Sequence, residues 1–120
     1  MRYFLDTYAI IEIIKGNFNY GKYLNEELFT SIFNLYELYF TSLRDYGESD
    51  AKKFFFQFNS NVIPIKKEYI FLASEFKLKN KKVDISYTDA IGYAIAKLNN
   101  MKFLTGDKEF ENLENVEFIK

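Results

Sequence analysis

The architecture this sequence predicts is α/β, a three-layer α/β/α sandwich around a central five-stranded parallel sheet. Three observations predict it. Short apolar runs alternate with amphipathic stretches along the chain, the pattern of strands joined by crossover helices. Those runs are continuously apolar rather than alternating, as strands covered on both faces should be. The 120 residues are 48% apolar and contain no repeat and no long linker, which fits a single domain over residues 1–120.

The elements follow in order. Met1 to Leu5 reads as the first strand, ending at Asp6. Tyr8, Ile11 and Ile14 then recur at near-helical spacing over Thr7 to Lys15, with Gly16 as the stop. Gly21 to Asn25 reads as a short helix, and Leu28 to Thr30 as the second strand. Ser31 can cap a long helix reaching Tyr46, where Gly47 ends it, and Ser49 opens a helix through Phe58. Val62 to Ile65 reads as the third strand, with Pro64 favouring an edge or exit position. Lys66 to Lys79 is helical, placing Tyr69, Ile70, Ala73 and Phe76 on one face. A basic linker, Asn80 to Val83, leads to Ser86, which caps a helix reaching Asn99. Lys102 to Thr105 is the fourth strand, Asp107 to Leu113 a short helix, and Val116 to Ile119 the fifth strand.

Composition excludes much catalytic chemistry. The chain has no histidine and no cysteine, so thiol nucleophiles, zinc–thiolate sites, disulfides and imidazole general bases are all ruled out. Carboxylates, Lys, Tyr, hydroxyls or a bound metal must carry any reaction. Sixteen basic and seventeen acidic residues give a net charge of −1, which argues against binding nucleic acid by general electrostatics alone. No stretch approaches the ~20 apolar residues of a membrane span, and Asp6 breaks the opening run where a secretory leader needs an apolar core. A cytoplasmic protein without membrane association is expected. The fourteen Phe and ten Tyr are read chiefly as core.

Topology gathers four acids. In an open parallel sheet, ligands bind beyond the carboxyl ends of the strands. Asp6 follows the first strand and Asp107 lies two residues past Thr105. Crossover helices begin at that same edge, which places Asp89 in the first turn after Ser86 and Glu37 about two turns after Ser31. Each acid also has a local reading: Asp6 and Asp107 as helix caps, Ser86 with Asp89 as a capping box, Glu37 on a polar stripe with Arg44. Together they would repel one another, and a hard divalent cation resolves that conflict. Oxygen-only donors suit Mg2+ or Mn2+, and a two-ion site can activate water and stabilise a leaving oxygen. Outside the four acids the chain is net positive, compatible with a polyanionic substrate.

Four segments, in order across nearly the whole chain, resemble the PIN domain, and most closely its small VapC-type toxin ribonucleases. They are Phe4-Leu5-Asp6-Thr7, Asn34-Leu35-Tyr36-Glu37-Leu38, Ser86-Tyr87-Thr88-Asp89-Ala90 with Ala94 and Ala96, and Leu104-Thr105-Gly106-Asp107-Lys108-Glu109-Phe110. The resemblance implies an Mg2+- or Mn2+-dependent endoribonuclease with Asp6, Glu37, Asp89 and Asp107 as metal-binding catalytic acids. Thr105 is implied as an auxiliary that positions water or a carboxylate. Tyr8 departs from the Asn often found two places after the first acid, and Asp84 is a fifth acid near the edge, read as a loop residue. The family also implies a homodimer and a VapB-like antitoxin partner. The Tyr- and Phe-rich helix Ile32 to Tyr46, with Phe54-Phe55-Phe56, is the expected surface for one of them. Lys77, Lys79, Lys81 and Lys82 are expected either as a solvated helix end or as a patch tracking phosphates. Two competing functions stay open: a catalytically silent PIN-like RNA-binding or assembly module, and a phosphotransfer receiver. The receiver is disfavoured because Val62-Ile63-Pro64-Ile65 ends without an Asp.

Overall fold

The computed structural model describes residues 1–120. Its strands are β1 (Arg2–Leu5), β2 (Glu27–Phe29), β3 (Lys102–Thr105) and β4 (Val116–Phe118), and its helices α1 (Thr7–Ile14), α2 (Ile32–Tyr46), α3 (Glu48–Phe58), α4 (Lys67–Lys79) and α5 (Tyr87–Leu98). The sheet is parallel throughout, in the order β2-β1-β3-β4. Phe4 stands opposite Phe29 on one side and Phe103 on the other.

Strand alternation divides the core into two layers. Phe4 and Phe103 turn to one face and pack with Tyr69 and Ala73 of α4 and with Ala90 and the run Tyr93–Ala96 of α5. Tyr3, Leu5 and Leu104 turn to the other, against Ala9 and Ile10 of α1, Leu35 and Leu38 of α2, and Phe58. The small residues on α5 let the helix lie close to the sheet. At Gly92 a Cβ would sit 2.5 Å from the Phe4 ring, so only glycine fits there. Gly47, at φ 96°, ends α2 and starts α3 in a backbone conformation that L side chains avoid.

Four strands are present, not five. The expected strand Val62–Ile65 makes one isolated bridge, Val62 with Thr30, at the β2 edge. The Thr30 N–H donates to the Asn61 carbonyl and the Ile63 N–H to the Thr30 carbonyl, each at 2.9 Å. Pro64 then has no N–H to continue the ladder. Two expected helices are 3-10 turns: Phe18–Tyr23 in place of Gly21–Asn25, and Lys108–Phe110 in place of Asp107–Leu113. Both segments are too short to repay α-helix nucleation. On α4, Tyr69 and Ala73 face inward while Ile70 is exposed. No helix is long and apolar enough to cross a membrane.

Candidate active site

Asp6 is where β1 hands over to α1. It caps that helix in an extended conformation, its Oδ1 accepting from the Ala9 N–H at 2.8 Å. Leu5 pairs with Leu104, so β1 and β3 end side by side. That registry brings Thr105, the last residue of β3, to Asp6, and its hydroxyl donates to Asp6 Oδ2. The same Thr105 oxygen accepts from the Asp107 N–H at 2.9 Å. Asp107 then caps the following 3-10 turn through the Glu109 N–H at 3.0 Å. Gly106 between them is forced by closeness: a Cβ would fall 2.1 Å from the Tyr8 ring and 2.6 Å from the Ile119 carbonyl oxygen.

Glu37 arrives from α2 and is half-buried. Its Oε1 accepts from the Thr7 hydroxyl at 2.6 Å, and Asn34 Nδ2 donates to that hydroxyl at 3.1 Å. Asn34 Oδ1 accepts from the buried Ser31 hydroxyl at 2.6 Å. This relay, Ser31–Asn34–Thr7–Glu37, ties the α2 acid to the residue after Asp6. The positioning roles of Thr7 and Asn34 escaped the sequence reading. Two features pointed to them: Thr7 directly follows the first acid, and Asn34 lies one turn before Glu37 on the same helix face.

Asp89 lies in the first turn of α5. Its N–H donates to the Ser86 hydroxyl at 3.1 Å, but its carboxylate takes no hydrogen bond back from the Ser86 N–H, so the capping box is only half formed. The cap readings of Asp6 and Asp107 are both correct, and neither competes with a place in the site. Arg44, the alternative partner for Glu37, reaches Asp45 instead at 2.8 Å. Asp84 is exposed in the loop and joins none of these hydrogen bonds.

The electrostatics are those of an unneutralised acid cluster. Burial, at 2% exposure, pushes the Asp6 carboxyl up to about 7. The Thr105 and Ala9 hydrogen bonds pull it down, and the charges of Asp89 and Asp107 push it further up. Asp89 rises to about 6 through burial, then Glu37 and Asp107, against the Ser86 hydroxyl, with Glu109 adding to the rise. None of the five ion pairs in the molecule includes any of the four acids.

These facts bear on whether a metal fits. No three carboxylates close around a common point. The donor set itself is all oxygen, mutually repelling and without a cationic side chain, which suits a hard divalent ion. Two clefts flank the acids. One of about 340 Å³ is lined by Thr7, Glu37, Thr41 and the α2 aromatics Tyr36 and Phe40. The other, about 360 Å³, is lined by Lys82, Val83, Lys108 and Glu109. The largest cleft, about 550 Å³ around Phe18 and Tyr20, contains none of the four acids.

Comparison with known proteins agrees with this architecture. A sequence model of the PIN domain matches residues 3–116. No curated protein matches the sequence. Among solved structures, VapBC-1 from nontypeable Haemophilus influenzae superposes with a TM-score of 0.76 at 18% identity, covering 100% of this chain and 98% of its own. VapBC2 from Rickettsia felis, bound to a promoter DNA fragment, gives 0.75 at 21%, covering 99% and 98%. A toxin–antitoxin complex from Klebsiella pneumoniae gives 0.74 at 18%, covering 96% and 95%. At such identities the likeness is one of fold.

Proposed function

The chain belongs to the PIN domain family, and on that premise we propose that it is a metal-dependent endoribonuclease, the VapC-like toxin of a type II toxin–antitoxin pair. The observation that carries this reading is four carboxylates at one sheet edge with no cation among their side-chain partners. Asp6, Glu37, Asp89 and Asp107 would hold Mg2+ or Mn2+, which supplies a nucleophilic water and charge stabilisation for the leaving oxygen. Asp6 is the fixed member, since both its oxygens are tethered. Thr105 orients Asp6 and anchors the Asp107 backbone, while Thr7 and Asn34 aim Glu37. The whole chain would act as one nuclease unit in the cytoplasm, where RNA is available.

Cleavage of RNA with Mg2+ or Mn2+, its loss in EDTA, and a fall of orders of magnitude in Asp89→Asn with the fold intact are the expected results. An Asp89→Asn protein that cleaves like the parent would refute the assignment. The silent-module reading draws on one observation, that no three acids close on a point. It predicts calorimetric Mn2+ binding without turnover, or none.

An antitoxin partner and a homodimer belong to the same proposal. The outer face of α2 supports them: Tyr36 is 72% exposed and Phe40 60%, with Phe33 and Leu43 on the same helix also exposed and Phe56 exposed on α3. Such an apolar patch on a monomer marks an interaction surface. Tyr36→Asp with Phe40→Asp is expected to abolish co-purification with the product of an adjacent antitoxin-like reading frame and leave Tm unchanged. Co-purification that survives the double change would place the partner elsewhere.

A further inference from the structure

The loop before α5 and the first residue of that helix hold groups that the acid cluster leaves unused. Tyr87 opens α5 two residues before Asp89 and is 81% exposed. Exposed tyrosines are common, but this one is backed. Lys77 Nζ lies 4.6 Å from the centroid of its ring and donates to the Ile85 carbonyl. One ring face therefore carries an ammonium anchored to the loop. The cleft of about 360 Å³ lined by Lys82, Val83, Lys108 and Glu109 runs along the same edge. Lys108 and Glu109 belong to the turn that Asp107 caps, and the charge of Glu109 reaches Asp89, so that cleft lies next to the acids. Neither Lys82 nor Lys108 is engaged in an ion pair.

An exposed aromatic ring five residues after Lys82, with a lysine-lined cleft at the same loop, has the make-up of a single-strand binding site. Bases stack on such a ring whatever their identity, and lysines follow the phosphates. A paired base inside a duplex offers no free face, so the occupant would be an unpaired one. Resting on the nuclease reading, we propose that Tyr87 is a stacking platform for a base of single-stranded RNA beside the scissile phosphate, with Lys82 and Lys108 holding flanking phosphates. Glu109, in the same cleft, would keep the strand close to the lysine side.

The test is a short unstructured RNA carrying 2-aminopurine, titrated in an Asp6→Asn background so that the probe is not consumed. Tyr87→Phe is expected to bind and quench like its background, and Tyr87→Ala to bind about tenfold more weakly with reduced quenching and unchanged Tm. Lys82→Gln with Lys108→Gln should flatten the salt dependence of binding. Equal binding and quenching by Tyr87→Ala, or no RNA binding at all, overturns the platform. Cleavage with Mn2+ is read separately on the otherwise unaltered protein. RNA that is bound and quenched but never cleaved by it removes the nuclease reading and leaves the platform. Cleavage with KM unchanged in Tyr87→Ala removes the platform and leaves the nuclease.

Discussion

Asp6→Asn is expected to stabilise the metal-free protein above neutral pH while abolishing its activity. In the unfolded chain Asp6 titrates near its ordinary 3.8, and in the folded protein at about 7. Between those values the folded state holds a proton that the unfolded chain has released, so stability falls as pH rises from about 4 to about 7. At about 1.4 kcal/mol per pH unit, the charged carboxylate costs the fold at most about 4 kcal/mol at pH 8. Relaxation of the neighbouring acids and water entry reduce that to about 2 kcal/mol. Asn keeps an acceptor for the Ala9 N–H and can donate to the Thr105 oxygen, but carries no charge. For a chain of this length about 2 kcal/mol corresponds to about 8 °C in Tm. Thermal unfolding in EDTA at pH 5 and pH 8 reads the effect, because the chain has no histidine to titrate in that window and Asp89, at about 6, is present in both parent and variant. The parent should melt lower at pH 8 than at pH 5, and Asp6→Asn should melt above the parent at pH 8 with a smaller pH dependence. Mn2+ should raise the Tm of the parent far more than that of the variant. A parent Tm identical at both pH values, or a variant no more stable at pH 8, would refute the argument that the acids strain the metal-free fold.

Two further substitutions examine other parts of the reasoning. Thr105→Val keeps the shape but removes the hydroxyl that lowers the Asp6 carboxyl and accepts from the Asp107 N–H; cleavage should fall about 10–100-fold and the acid limb of its pH profile should move up. An unmoved profile would reduce Thr105 to a strand-end contact. Gly92→Ala gains helix propensity but drives a Cβ to 2.5 Å from the ring of Phe4, itself fully buried. A net loss of about 1–3 kcal/mol is expected by denaturant unfolding, and a gain would show that the α5–sheet contact yields easily.

Much of this was legible in the sequence because it depends on local chemistry. Asp6, Ser31, Ser86 and Asp107 are side chains whose caps form within three residues of themselves. The helices α1, α2, α3, α4 and α5 follow from period and stop residues, and their starts sit within two residues of expectation. The failures share one cause, which is that short elements draw their stability from what they touch. Val62–Ile65 has the composition of a strand, but Pro64 withholds a donor and only Thr30 is in reach. By contrast, the outer face of α2, expected as an interaction surface, is exposed in the monomer at Tyr36 and Phe40.

By itself, the sequence determined the chemical alphabet of the site: no imidazole, no thiolate, and acids placed just after strands or at helix starts. It also determined the parallel order of alternation that sends those acids to one edge. Only the tertiary structure decided how they are held. Thr105 reaches Asp6 across 99 positions of chain, and Glu37 meets Thr7 across 30. Such pairings depend on strand registry and helix packing, which are long-range and leave no period in the sequence. The raised pKa values of Asp6 and Asp89 have the same origin, since burial and neighbouring charges exist only once the edge is assembled.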